Sequence, residues 1–156
     1  MRIRTIKPEI PAEVAAEIRG LFFGEGHIDL CRQGSTTRAL SPRARLSLRV
    51  DDRAMVDWLK GWLGGSISHS FPNAGHEAVC WQLTGADNMR RLLDILGSGT
   101  LPSKKRKEVE LLREAVVVRA TARQSHVPDS VVERLHGIRE ELKVARRFVD
   151  GGSRAD

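Results

Sequence analysis

The feature that most constrains this chain is a pattern that occurs twice: two alternating apolar and polar stretches joined by a turn, then a stretch with helical spacing. In the first copy, Ile28 and Leu30 point one way and Asp29, Cys31 and Gln33 the other. The turn-rich QGSTTRALSP follows, and then RARLSLRV sets Leu46, Leu48 and Val50 against Arg45, Ser47 and Arg49. Asp52 has the side chain of an N-cap, and Met55, Trp58, Leu59, Trp62 and Leu63 fall at i, i+3, i+4, i+7 and i+8 before Gly64 and Gly65 end the helix. In the second copy, SISHSF alternates Ser66, Ser68 and Ser70 against Ile67, His69 and Phe71, and PNAG makes the turn. AVCWQL sets Val79, Trp81 and Leu83 against Cys80 and Gln82, and Met89, Leu92, Leu93 and Leu96 mark the closing helix. Ahead of both copies, Pro11 opens a helix from Ala12 to Phe22, with Glu13 and Glu17 near its start and Gly24 as its expected terminator. The order αββαββα predicts an α+β fold in which helices cover one face of a four-stranded antiparallel sheet.

The other face of that sheet carries Arg45, Arg49, Ser47, Gln33, Ser66, Ser68 and Gln82. Such a face suits nucleic acid, because a two-stranded ribbon fits the major groove; it is equally what any half-buried sheet shows to water. Charge bears on the choice. The net charge is +6 and 20 of the 26 basic residues are arginine, which points to a polyanionic partner, although a GC-rich genome produces the same bias. The 156 residues and 40% hydrophobic content are enough for a single core. The longest apolar runs, GLFFG and AVVV, fall far short of the roughly 20 residues that cross a bilayer, and the first residues have no signal-peptide core, so an intracellular protein with no membrane partner is expected. Cys31 and Cys80 lack the paired spacing of a disulfide framework or zinc ribbon, which agrees with a reducing cytoplasm. The histidines have no metal-ligand spacing, and His69 reads as a core residue on an apolar strand face.

The stretch IRGLFFGEG, residues 18–26, raises a separate question. Gly20 and Gly24 are four apart and give one helical face two spots without side chains, where a second helix could approach closely; taken singly, Gly20 reads as a tolerated defect and Gly24 as a cap. Glu25 then places a carboxylate where the helix dipole is already negative, which is unfavourable without a cation. Two such helices packed through their glycines would bring two Glu25 carboxylates together, a site suited to a divalent metal.

IRGLFFGEG resembles the signature of the LAGLIDADG homing endonucleases, and αββαββα is the order of that family's core. The resemblance covers about residues 10–120. Position by position, Gly20 and Leu21 match the signature's glycine and leucine, Gly24 the residue between its two acids, Glu25 the second acid and Gly26 the last glycine, while Phe23 replaces the first acid. The resemblance implies that Glu25, with Gly24 beside it, is the metal position, that Gly20, Leu21 and Gly24 form a dimer interface, and that a chain with one signature works as a homodimer. It also implies a lysine after the last core helix: LPSKKRKEVELL offers Lys104 as the better match and Lys105 as the alternate, although such a run is also an ordinary solvated helix start. Asp52 lies about where the family often has a polar water-positioning residue, beside its reading as a cap.

The implied activity is hydrolysis of both strands of double-stranded DNA at a long, nearly palindromic site, with Mg²⁺ (or Mn²⁺) and no small-molecule cofactor. The implied sequence readers are Asp29, Cys31, Gln33, Arg43, Arg45, Ser47, Arg49, Ser66, Ser68, Ser70 and Gln82, with arginine favouring guanine, glutamine adenine and Asp29 cytosine. The rival is a binder of the same fold that does not cut, either an intron maturase or a DNA-binding regulator; Glu25 argues for the enzyme and Phe23 leans the other way. A bacterial or phage-infected cytoplasm, or an organelle, is the expected setting. Residues 1–123 are read as the endonuclease domain and 124–156 as a helical extension with a disordered tail. In the extension, Val131, Leu135, Ile138, Leu142 and Ala145 repeat at 4-3-4-3 on a charged helix that either packs on its own protomer or reinforces a dimer or flanking DNA.

Overall fold

The computed structural model describes residues 7–32, 39–70, 77–99, 101, 103–122 and 126–147. Its elements follow the expected order: α1 (Ala12–Glu25), β1 (Gly26–Arg32), β2 (Leu40–Arg49), α2 (Arg53–Leu63), β3 (Ser66–Ser70), β4 (Ala78–Leu83) and α3 (Ala86–Gly97), then α4 (Ser103–Ala120) and α5 (Asp129–Arg147). The strands form one four-stranded antiparallel sheet in the order β1-β2-β4-β3. Packing divides the chain into two units, Met1–His27 with Arg45–Leu83, and Ile28–Ala44 with Thr84–Asp156.

In the first unit Ile18, Phe22, Leu46, Val56, Leu59, Leu63, Val79, Trp81 and Leu83 form the core. Phe22 meets Trp81 edge to face at 5.8 Å between ring centres, and the Trp81 indole N–H donates to the Gly64 carbonyl at 2.7 Å, which satisfies the one polar atom of a fully buried ring. The connection behind that ring must be glycine. Gly65 has φ +93°, and a Cβ there would lie 2.5 Å from the Gln82 carbonyl oxygen.

Several boundaries differ from expectation. Helix α1 does not stop at Gly24; it runs through Glu25 and is capped by Gly26, whose N–H bonds back to the Phe22 carbonyl. Gly26 is the glycine this turn requires, since a Cβ there would fall 2.3 Å from the Phe22 ring. Strand β2 begins at Leu40, inside the segment read as a turn, because Leu40, Ala44 and Leu46 keep one inward alternation through Ser41 and Pro42. Val50 leaves the strand and opens a short 3-10 turn, Val50–Asp52. On α2 the buried stripe is Val56, Leu59 and Leu63; Met55 is exposed and both Trp58 and Trp62 are half-buried, so the apolar face is rotated from the one expected. His69 is no core residue. It lies exposed on the edge strand β3, where its Nε2 accepts from Arg53 at 2.7 Å. Phe71 and the PNAG turn lie outside the described residues.

In the second unit α4 packs against both α3 and α5, and Met89, Leu92, Leu93, Leu96, Leu112, Val116, Leu135, Ile138 and Leu142 are buried. Leu135, Ile138 and Leu142, the middle of the repeating stripe on α5, are thus spent within the chain. Arg134 of α5 links Glu114 of α4 to Glu141 of its own helix, and these two carboxylates hold its guanidinium above the usual arginine range. No helix among the described residues is long and apolar enough to cross a membrane.

Candidate functional site

The last residue of α1 is Glu25, and its exposed side chain stands at the negative end of the helix dipole. It lines a cleft of about 430 Å³ with Ser47, Leu48 and Arg49 from the end of β2, Asp52 from the 3-10 turn, and Glu77 and Ala78 where β4 begins. The Val50 N–H donates to the Glu77 carbonyl at 3.2 Å and fixes the turn beside the strand. Three carboxylates and a guanidinium therefore surround one opening. Among the described residues none of these four side chains forms an ion pair.

Asp52 occupies the N-cap position of α2, as its residue type suggests, but makes no capping hydrogen bond. The cap reading is therefore corrected: the side chain lines the cleft. Glu77 was not anticipated, because the acid precedes its strand after a turn and carries no periodic signal of its own.

The donor set is all oxygen and acidic, which suits hard divalent cations. No group of three histidine, cysteine or acidic side chains among the described residues is close enough to hold an ion by itself.

The polar sheet face is present in the first unit. Across β3 and β4 the register pairs Ser66 with Gln82, Ser68 with Cys80 and Ser70 with Ala78. Ser47, Arg49, Ser66 and Ser68 are exposed, while Arg45 and Gln82 are half-buried. In the second unit Asp29 and Arg43 hold each other in a two-bond pair, Nε to Oδ1 at 3.2 Å and Nη2 to Oδ2 at 2.9 Å. The pair joins two side chains that stand apart in the sequence, and it braces the Arg43 guanidinium against the Asp29 carboxylate. Cys31 is half-buried in β1, and Gln33 lies outside the described residues.

Lys104 and Lys105 fall in the first turn of α4. Lys105 Nζ is 3.7 Å from Glu108 Oε2. Gly20 lies inside α1 and Gly24 is its penultimate residue; both are exposed, and a Cβ on either would meet nothing within 4 Å. No contact among the described residues needs them to be glycine. They share an open face with Phe23, which is 39% exposed, while Leu21 is half-buried.

No protein-family model and no curated protein matches the chain. Solved structures do. I-SmaMI, bound to uncleaved DNA target in the presence of calcium ions, superposes with a TM-score of 0.67 at 15% identity, over 87% of this chain and 46% of that one. The LAGLIDADG meganuclease I-AabMI, bound to uncleaved DNA, gives 0.64 at 24% identity, over 80% and 43%. The archaeal intron-encoded homing endonuclease I-Vdi141I, complexed with DNA, gives 0.64 at 18% identity, over 84% and 82%. The chain thus spans about half the length of the first two and most of the third.

Proposed function

We propose that this chain, which has the fold of the LAGLIDADG homing endonucleases, is a site-specific endonuclease for double-stranded DNA that acts as a homodimer with a divalent cation. One observation carries the reading: the helix-terminal Glu25 opens, unpaired among the described residues, into a cleft beside Asp52 and the arginine- and serine-bearing end of β2. A pure binder gains nothing from acids there, because they repel the phosphate backbone.

In this reading one Glu25 from each protomer holds the cation, and Asp52 accepts a hydrogen bond from the attacking water and aims it. Glu77 adds negative charge on the same wall. Lys104 neutralises charge that develops on the phosphoryl group. A divalent cation such as magnesium or manganese, if held there, would supply Lewis-acid chemistry for the phosphoryl transfer. Arg45, Ser47, Arg49, Ser66, Ser68 and Gln82, with Cys31, are the DNA contacts of this reading, and Arg43 joins them already braced by Asp29. The open face of α1, with Gly20, Leu21 and Gly24, is the protomer interface, and the chain's span of about half of two longer neighbours supports two copies per site. Two identical copies imply a nearly palindromic target.

The second reading, a binder that does not cut, is favoured by Phe23, an exposed apolar residue where the signature carries its first acid. A duplex library separates the two. Duplexes retained in Ca²⁺ are transferred to Mg²⁺ and the products sequenced. The proposal expects cuts in both strands at one recurring site, and retention without cutting establishes the binder.

A further inference from the structure

Glu108 is the one buried charged residue among those described, at 8% exposure, and it is shared. Its Oε2 lies 3.7 Å from Lys105 Nζ, one turn earlier on α4, and 3.6 Å from Arg146 Nε in the last turn of α5. Both separations exceed hydrogen-bond length, so two cations face one oxygen and neither claims it. Arg146 also donates from Nη2 to the Ile28 carbonyl at 2.5 Å. Strand β1 lies at the edge of the sheet, and the guanidinium bonds one of its backbone acceptors. Arg146 is thus held from two sides, while Lys105 is held by Glu108 alone among the described residues and keeps 39% of its side chain exposed.

A buried carboxylate deprived of one counter-charge draws harder on the other, because the loss of a partner in low dielectric is costly. Without Arg146, Glu108 would capture Lys105. We propose that Arg146 is a positioning residue: by sharing Glu108 it keeps the Lys105 ammonium available to a DNA phosphate, so that the C-terminal helix sets the effective charge at the start of α4. The inference rests on the DNA-binding reading above and names a second lysine, beside Lys104, as a phosphate contact.

The test is the salt dependence of binding to a short mixed-sequence duplex, read as the slope of log K against log salt. Lys105→Gln should reduce the slope by about 0.9, the value for one lost phosphate contact. Arg146→Gln should do the same, Lys105→Gln/Arg146→Gln should be no weaker than Lys105→Gln, and Glu108→Gln/Arg146→Gln should return the wild-type slope. Arg146→Lys, which keeps the charge, should bind as the wild type does. Losses that add in the Lys105→Gln/Arg146→Gln variant would show that Arg146 touches phosphate itself and overturn the inference. Should Arg146→Gln not fold, Glu108→Gln decides: it should bind more tightly, and the gain should vanish in a Lys105→Gln background. A gain that persists there overturns the inference.

A readout without DNA keeps the two proposals apart. Acylation of the Lys105 amine, located by mass spectrometry, should slow about threefold in Arg146→Gln, the scale of a partly exposed ion pair, and quicken in Glu108→Gln. An unchanged rate in both variants overturns the inference. A wild-type chain that binds no duplex removes the functional reading instead, and the labelling rates then decide this one alone.

Discussion

Asp52 stands at the N-cap of α2 without capping it, and its side chain shares a cleft with Glu25 at the end of α1. A capping aspartate typically contributes about 1 kcal/mol, so Asp52→Ala separates the two roles. The variant should lose less than about 0.5 kcal/mol in urea denaturation while cleavage slows about tenfold or more. A full capping loss with normal cleavage would return Asp52 to a structural part.

Glu25 ends its helix with no basic residue in the last turn. An acid against the negative pole of the dipole is destabilising, so Glu25→Gln should raise stability by about 0.3–1 kcal/mol while removing activity. Thermal unfolding checks the sign. A lower melting temperature would mean that the carboxylate serves a contact within the protomer.

The glycines of α1 make an opposite pair of demands. Since a Cβ on Gly20 or Gly24 meets nothing within 4 Å, Gly20→Ala should stabilise an isolated protomer by up to about 1 kcal/mol. Leucine at both positions should block close approach of a second α1. Light scattering should then report a monomer that folds normally and does not cut; an intact, active dimer would place the interface elsewhere.

Trp81 and Gly65 test the core that carries the cleft. Trp81→Phe leaves the Gly64 carbonyl without its indole donor and should cost about 1–3 kcal/mol. Gly65→Ala, which combines φ +93° with a 2.5 Å approach to the Gln82 carbonyl oxygen, should cost more than about 2 kcal/mol. Denaturation midpoints of both variants provide the check.

Regular burial made most of the fold legible in the sequence. Leu46, Val79, Trp81, Leu83, Leu92 and Leu93 all lie on the faces that their periods assign. The misreadings occur where contacts between elements override a local rule. Gly24 looked like the terminator because any glycine near a helix end does, whereas the Phe22 ring makes Gly26 the position that cannot carry a side chain. His69 sits at an inward register, but its strand is at the sheet edge, where that register leaves it exposed beside Arg53. At the site, Glu25 was readable from the conflict between its charge and the helix dipole. Glu77 was not, since only the pairing of strands brings it beside the turn that bears Asp52. The sharing of Glu108 by Lys105 and Arg146 likewise depends on how α5 returns to α4.

The most direct measurement is the cleavage rate of a plasmid carrying a selected target, taken in Mg²⁺ and in EDTA for the wild type and Glu25→Gln. Double-strand linearisation should require both Mg²⁺ and Glu25, with a loss of about 100-fold or more in the variant while its affinity for the same DNA persists. Equal rates for the two proteins, or DNA that is held and never cut in Mg²⁺, would contradict the account.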